Sequence, residues 1–304
     1  MRKPPLTSGG AECYARHVLT SLDHIVLAVR DLARASETYR ALLGRAPSWR
    51  GRHPAFGTAN TLFRLENTYL ELLAPAADGP LASRVEAWLA EHGEGPFALA
   101  FGTADADAAA ATLEARGLEP SDPSDGLGRD DQTGAERRWR NLFLPPSATR
   151  GVSMIVIEHR SPADALPAAV SFAGAAAAVA ACDHVVVQSA DADASRALYG
   201  DGLGLRLALD RRFEDWGVRL LFFRTGRLTV EIAASLTPAS PAAPDRFWGI
   251  SWRVPDLDAA HARLSAAGFD VSEIRTGRRP GTRVTTVRAE THGVATLVIG
   301  PERP

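Results

Sequence analysis

Two histidine–glutamate pairs recur in this 304-residue sequence with identical spacing. His24 precedes Glu71 by 47 positions, and His184 precedes Glu231 by the same number. Each histidine directly follows an aspartate, and each glutamate lies inside an apolar run, YLELL or TVEIA. An ionised carboxylate among such neighbours is costly unless a cation or hydrogen-bond donors meet it. The spacing therefore predicts two matched sites.

Imidazole nitrogen and carboxylate oxygen together suit a divalent ion such as zinc, nickel, manganese or iron(II). The ion would act as a Lewis acid, and Glu71 or Glu231 would also carry a proton as a catalytic group. The alternative is that each histidine bonds to the glutamate of its own segment without a metal and ties two strands together. Both interpretations bring each histidine into contact with its glutamate.

The two pairs belong to a unit that occurs four times. In its first copy an apolar run at 22–29 leads through Asp31 into an Ala-rich stretch that ends at Gly44, and strand-like runs follow. Asp31 suits a helix N-cap and Gly44 a C-cap. The same order restarts at PFALAFGTAD, CDHVVVQSAD and WGISWRVPD. The later runs of each copy are rich in β-branched and aromatic residues, which is typical of strands.

Four βαβββ modules in an α+β fold are therefore predicted. A module cannot bury its sheet face alone, so we expect two half-open barrels, each made by two modules. Roughly 150 residues per domain also suggests two domains. The expected division is a flexible leader over 1–20, a first domain over 21–160, a linker with helical tendency over 161–181 and a second domain over 182–304.

Composition excludes several classes of function. The net charge is −2, so no basic excess is present to hold nucleic acid. The longest apolar stretch, 163–181, is interrupted by proline, serine and glycine and is too weakly hydrophobic for a membrane span. The start lacks the apolar run of a signal peptide, and only Cys13 and Cys182 occur, so a cytoplasmic location is expected. Phosphate-loop, GxSxG and dinucleotide motifs are missing from the sequence.

Two loops carry further candidates for binding a small-molecule substrate. The segment GRHPAFGTAN holds His53 and Asn60 on a glycine-flanked turn, although a plain loop histidine is the alternative for His53. The segment GRRPGTRV holds Arg279 and Arg283, whose guanidinium groups would bind a carboxylate or phosphate bidentately. A solvated turn between strands is the alternative for this second loop.

The strand with histidine, the helix and the strand with glutamate resemble the repeat of the vicinal-oxygen-chelate superfamily. This superfamily includes glyoxalase I, extradiol dioxygenases, methylmalonyl-CoA epimerase and bleomycin-resistance proteins. The first half resembles its glyoxalase-like domain group through LDHIVLAV, GRHPAFGTAN and TLFRLENTYLELLAP, and the second half resembles the superfamily through DHVVVQSA, RLLFFRTG and WGISWRVPDLDAA. The resemblance covers 21–160 and 182–300, and it implies a metal bound by His24, Glu71, His184 and Glu231.

The sequence departs from that pattern in the second and fourth modules. The aligned ligand positions are Ala98 and Ile155 in the second module and Gly249 and Leu297 in the fourth, and none of these side chains binds a metal. If modules pair in chain order, each cavity has one histidine and one glutamate. A four-ligand site arises only if the first module faces the third, within the chain or across a homodimer, and it would lose its metal on either histidine substitution.

Two functions remain open. The first is a metal-dependent lyase or isomerase, or a dioxygenase, that acts on a small molecule with adjacent oxygens. A dioxygenase would be expected to show two histidines and one glutamate in one cavity, and the second half has no such set. The second is a metal-free protein that binds and sequesters a small molecule, as bleomycin-resistance proteins do. Missing ligands in modules two and four favour this second function if modules pair in chain order.

Overall fold

Four βαβββ modules follow one another in a computed structural model that describes residues 18–302 except 239 and 241. The predicted leader over 1–20 lies largely outside the described residues, as does Cys13, whereas Leu19 is buried. The first two modules comprise β1 (Ser21–Ala28), α1 (Leu32–Leu43), β2 (Trp49–His53), β3 (Thr58–Arg64), β4 (Tyr69–Pro75), α2 (Pro80–His92), β5 (Gly95–Gly102), α3 (Ala106–Ala115), β6 (Ser124–Asp130), β7 (Glu136–Leu144) and β8 (Ser153–His159).

The third and fourth modules repeat this order with shorter helices. They comprise β9 (Ala181–Ser189), α4 (Ala192–Arg196) continued by a π-helical segment at Ala197–Gly202, β10 (Arg206–Phe213), β11 (Val218–Thr225), β12 (Leu228–Ser235), β13 (Arg246–Arg253), α5 (Leu257–Ala266), β14 (Arg275–Thr276), β15 (Thr282–Val287) and β16 (Ala295–Pro301). The α+β fold of four modules is confirmed. The helix α2 joins the first two modules and was not predicted.

An aspartate N-cap begins the helix of every module. The side chains of Asp31, Asp105, Asp191 and Asp256 each accept a hydrogen bond from a backbone N–H in the first helical turn. Such caps satisfy amide groups that have no partner inside the helix. Gly44 ends α1 with a φ of 66°, as the sequence indicated.

The modules pair in chain order, first with second and third with fourth. In the first half the strand order is β1-β4-β3-β2-β6-β7-β8-β5, and it closes into a barrel because β1 pairs with β5 and β2 pairs with β6. In the second half the order β10-β11-β12-β9-β13-β16-β15-β14 leaves an open sheet. The expectation of two half-open barrels therefore holds for the second half, while the first half is closed.

The segment expected as a helical linker is extended and packs against the first half. It contains a 3-10 turn at Ala163–Ala165 but no α-helix. Leu166 is buried beside Trp49, and the backbone N–H of Ala169 donates to the Arg64 carbonyl. These contacts compete with helix formation, since prolines and a glycine already weaken the helical tendency of this stretch.

Candidate functional site

Parallel pairing of β1 with β4 places the first histidine beside its glutamate. The register aligns Val26 with Glu71, so His24 lies two residues before the partner of Glu71 and on the same face of β1. That face points into the barrel, where both side chains line a cavity of about 70 Å³. The His24 side chain is 5% exposed and that of Glu71 is 10% exposed.

His24 lies between two carboxylates. Its Nδ1 is 2.8 Å from Asp23 Oδ1, and its Nε2 is 3.4 Å from Glu71 Oε2. An Nδ1–H that donates to Asp23 leaves Nε2 as the atom facing Glu71. Two electron-rich atoms at this distance need a shared proton or a cation between them. His24 Nε2 and Glu71 Oε2 are therefore placed to share one proton or a cation.

The second pair has the same geometry. His184 Nδ1 is 3.0 Å from Asp183 Oδ2, and His184 Nε2 is 3.4 Å from Glu231 Oε2. The register of β12 on β9 aligns Val186 with Glu231, which is the same two-residue offset as in the first module. The equal sequence spacing thus produces equal side-chain placement.

His53 and Asn60 extend the first pair along the cavity wall. Asn60 Nδ2 donates to Glu71 Oε1 at 2.7 Å and lies 3.1 Å from His53 Nε2. His53 Nδ1 lies 2.9 Å from Thr58 Oγ1. Both N–H groups of the Asn60 amide are then used, and His53 is a neutral imidazole with its proton on Nδ1. His53 and Asn60 are predicted substrate-binding residues, and both line the cavity.

Burial and charge set the protonation of several groups around this cavity. Burial lowers the pKa of His53, which keeps its imidazole neutral near pH 7. Although burial by itself raises the pKa of Asp23, hydrogen bonds from His159 and His24 outweigh it and hold that pKa below its usual range. In the second half burial raises the pKa of Glu231, and the charge of His184 opposes this effect.

Aromatic side chains and one arginine complete the cavity. The Tyr69 ring stacks on His24 with centroids 4.5 Å apart, and the Arg137 guanidinium lies 5.6 Å from the Tyr69 ring. Trp139 contacts the edge of His53 at 5.4 Å. Sequence reasoning missed Arg137, Tyr69 and Trp139. The alternation of Arg137, Trp139, Asn141 and Phe143 along β7 is the signal that they share one face.

The loop GRRPGTRV places Arg279 and Arg283 beside different aspartates. Arg279 Nη2 lies 3.5 Å from Asp183 Oδ1, next to the second histidine. Arg283 instead forms two hydrogen bonds with Asp258 at the start of α5. Asp258 belongs to the first turn of α5, so Arg283 lies on the face of β15 that this helix covers. Substrate contacts of Arg279 and Arg283 both stay predictions, and in this structure two hydrogen bonds to Asp258 hold the Arg283 guanidinium beside α5.

Two family models match this chain, one over each half. Residues 22–181 match the model of the glyoxalase-like domain, and residues 183–286 match that of the glyoxalase/bleomycin resistance protein/dioxygenase superfamily. The chain belongs to the glyoxalase-like family. It is thus a member of the vicinal-oxygen-chelate superfamily. No curated protein matched the sequence.

Two solved structures share the fold of this glyoxalase-like protein over most of the chain, and a third aligns with less than half of it. A variant of 4-hydroxymandelate synthase from Streptomyces coelicolor aligns with a TM-score of 0.66 at 15% identity over 93% of each chain. A hypothetical protein from Staphylococcus aureus aligns with a TM-score of 0.60 at 12% identity, over 91% of this chain and 98% of its own. A variant of methylmalonyl-CoA epimerase from Streptomyces coelicolor is 30% identical over 47% of this chain and 99% of its own, with a TM-score of 0.38.

The strand register identifies what replaces the other two metal ligands in each half. Ala100 pairs with Ile155 as Val26 pairs with Glu71, so Ala98 and Ile155 occupy the symmetry-related positions of the glyoxalase-like barrel. Gly249 and Leu297 occupy them in the second half, because Ser251 pairs with Leu297. No cluster of three potential ligands among His, Cys, Asp and Glu is found in the described residues. Catalytic zinc sites use three protein ligands, so this donor set does not fit a tightly bound divalent ion.

Of the two pairings that the sequence left open, chain order is the one observed, so His24 and His184 do not share a metal site within the chain. A shared site required the first module to face the third, whereas each module faces its neighbour in the chain. His24 and Glu71 are enclosed by the first barrel, and His184 and Glu231 lie on the separate second sheet. The part of the chain that the structure describes also holds no helix suited to crossing a membrane.

Proposed function

We propose that the first barrel is an enzyme site that transfers a proton on a small molecule with adjacent oxygen functions. The observation that carries this proposal is the buried Asp23–His24–Glu71 arrangement inside an aromatic-lined cavity. With a proton on His24 Nε2, Glu71 is the base and His24 the acid. Glu71 would take a proton from a carbon beside a carbonyl, and His24 would donate to the carbonyl oxygen.

The product of that step is an enediol, which regains a proton on either carbon. Return to the same carbon gives epimerisation and return to the neighbouring carbon gives isomerisation, and neither needs an oxidant. Asp23 keeps His24 oriented, because its carboxylate accepts from Nδ1 and is itself held by His159. Asn60 orients Glu71 by donating to Oε1, which leaves Oε2 beside His24 Nε2.

The test uses dihydroxyacetone, a neutral hydroxyketone small enough for the cavity. We expect the protein to catalyse incorporation of solvent deuterium into its carbon-bound hydrogens, followed by proton NMR in D₂O. Glu71→Gln keeps the shape and the contact with Asn60 but cannot act as a base, so it should abolish the catalysed exchange. Exchange that continues unchanged in Glu71→Gln would refute this assignment.

A second function is supported by Ala98 and Ile155, which remove two metal ligands from the barrel. With Glu71 and His24 then acting as a fixed hydrogen-bonding pair, the barrel would bind and sequester a small molecule without chemistry. The same experiment separates the two functions. Ligand binding without any catalysed exchange, in protein whose metal content has been measured, favours sequestration.

A further inference from the structure

Arg137 is a buried cation on the wall of the first cavity. It lies on β7, is 9% exposed and lines the same space as His24 and Glu71. Its guanidinium lies over two aromatic rings, 5.7 Å from the Trp49 centroid and 5.6 Å from that of Tyr69. Such contacts stabilise a cation but do not neutralise it.

Neighbouring arginines on the same hairpin are paired with a carboxylate, whereas Arg137 has only the Tyr69 side chain as a hydrogen-bond partner among the described residues. Arg129 and Arg138 each form an ion pair with Glu136 at 2.8 Å. Arg137 forms no ion pair with a carboxylate in the part of the chain that the structure describes. A buried charge without a counter-ion is costly, so the position favours an anion supplied by a ligand.

A second polar group in the cavity also lacks a partner. Both Asn60 N–H groups are used by Glu71 and His53, as described above. The Asn60 Oδ1 atom is buried and has no hydrogen-bond partner among the described residues. A buried carbonyl oxygen of this kind calls for a donor such as a hydroxyl group.

We propose that the first cavity recognises a small hydroxycarboxylate, with its carboxylate on Arg137 and its hydroxyl donating to Asn60 Oδ1. This inference names the substrate class of the site and in that sense rests on the proposed function. The cavity volume of about 70 Å³ limits the ligand to a few heavy atoms. The guanidinium fork matches a carboxylate bidentately, and the aromatic walls cover the carbon skeleton.

Three probes of nearly equal size separate the two contacts. Lactate has both the carboxylate and the hydroxyl, lactamide lacks the charge, and propionate lacks the hydroxyl. Calorimetric titration of the unmodified protein should rank lactate first, with each analogue about tenfold weaker or worse. Equal affinity for lactate and lactamide, or no binding of lactate, would overturn the inference.

Variants of the protein test the arginine directly. Arg137→Met keeps the apolar stem and should remove the preference for lactate over lactamide, with about tenfold weaker binding of lactate. Arg137→Lys keeps the charge without the fork and should retain part of the preference, which covers the case in which Arg137→Met does not fold. Arg138→Met, on the same strand but 64% exposed, is the matched control and should bind lactate normally. Unchanged lactate binding by both Arg137 variants would contradict the assignment.

The two proposals fail in different ways. Glu71→Gln should lose exchange of dihydroxyacetone while still preferring lactate to lactamide. If the unmodified protein shows that preference but no exchange, the hydroxycarboxylate inference stands and the proton-transfer function falls. If exchange of the neutral probe depends on Glu71 while lactate binding is independent of Arg137, the reverse holds.

Discussion

The two halves of the chain place the same three side chains at nearly the same distances in different surroundings. In both halves an Asp–His–Glu set has its His Nε2 to Glu Oε2 distance at 3.4 Å. The His24 side chain is 5% exposed inside a closed barrel, whereas that of His184 is 17% exposed on an open sheet. The geometry of the set therefore comes from the module, and its isolation from solvent comes from closure.

Closure depends on the strand that the second module contributes next to β2. In the first half β6 spans Ser124–Asp130 and pairs with β2 through Gly51 and Arg52. A Cβ atom on Gly51 would lie 2.4 Å from the Arg129 carbonyl oxygen, so glycine permits this close approach. In the second half the corresponding strand, β14, is two residues long and pairs with β15. The short strand explains why the second sheet stays open.

Asp23 and Asp183 differ in the side chain that contacts them in addition to the neighbouring histidine. His159 Nε2 lies 3.0 Å from Asp23 Oδ2, whereas Arg279 Nη2 lies 3.5 Å from Asp183 Oδ1. An imidazole therefore holds the first aspartate, and a permanently charged guanidinium holds the second.

The largest expected effect is a difference between Glu71 and Glu231 in their contribution to catalysis. Glu71→Gln should reduce the catalysed deuterium exchange by about 10²–10⁴-fold, the usual contribution of a general base. Glu231→Gln should change it by less than about tenfold, because the second set lies on an open sheet. The measurement is the proton NMR assay with dihydroxyacetone. Equal losses in the two variants would show that closure does not select the active half.

A second prediction restores a metal ligand to the closed barrel. Ile155→Glu places a carboxylate at the position related by symmetry to Glu71 and gives a third protein ligand beside His24. Affinity for zinc should rise by at least roughly 10–100-fold over the unmodified protein. Loss of even a supporting contact around a metal typically changes the affinity by that factor.

The matched control for this change is Ile157→Glu, which adds the same charge to the same cavity two residues farther along β8. It should not bind zinc more tightly than the unmodified protein. Metal content measured after dialysis distinguishes the variants. Equal zinc uptake by both would mean that charge alone, and not the ligand position, attracts the ion.

A third prediction concerns the pH dependence of stability through His53. Burial lowers its pKa from the unfolded value of 6.5, so the unfolded chain binds more protons below that pH. Its contribution to stability is fully present above pH 6.5 and is lost as the pH falls toward the folded pKa, by at most about 1.4 kcal/mol per pH unit.

His53→Gln should flatten this acid limb in denaturant titrations at several pH values. Glu231 should behave oppositely, because burial raises its pKa above 4.5 and its protonated form is favoured in the folded state. Its contribution is therefore lost as the pH rises through and above 4.5, and Glu231→Gln should remove that slope. If the two substitutions changed the slope of unfolding free energy against pH in the same direction, the assigned pKa directions would be contradicted.

The smallest expected effect concerns the open mouth of the second sheet. The Arg278 guanidinium lies 4.1 Å from the Trp216 centroid, and Trp216 stacks on Phe213 at 4.6 Å. This stack of Arg278, Trp216 and Phe213 connects the β14–β15 loop to the end of β10, although β14 and β10 are not hydrogen-bonded to each other. Arg278→Ala should lower the free energy of unfolding by about 0.5–1 kcal/mol. Thermal unfolding checks this against Arg227→Ala, an arginine in the β11–β12 turn, which should cost less.

The matched spacing of 47 residues determined much of the first site in advance. His24 and Glu71 lie in one module, and so do His184 and Glu231, so module structure brings each pair together. The register repeats because each module has the same order of strand, helix and strands. For the same reason the sequence also identified Ala98 and Ile155 as the residues that replace metal ligands.

Tertiary structure alone decided which modules face each other and what surrounds each pair. Asp23 and His159 are 136 positions apart and meet because β1 and β8 both flank β5. Arg137 reaches the cavity from the second module, and Arg283 turns away from the second site toward α5. Such contacts depend on how two modules close and on which face of a strand is covered. Spacing within one module carries no information about either, because each side chain's surroundings are completed by a strand from another part of the chain.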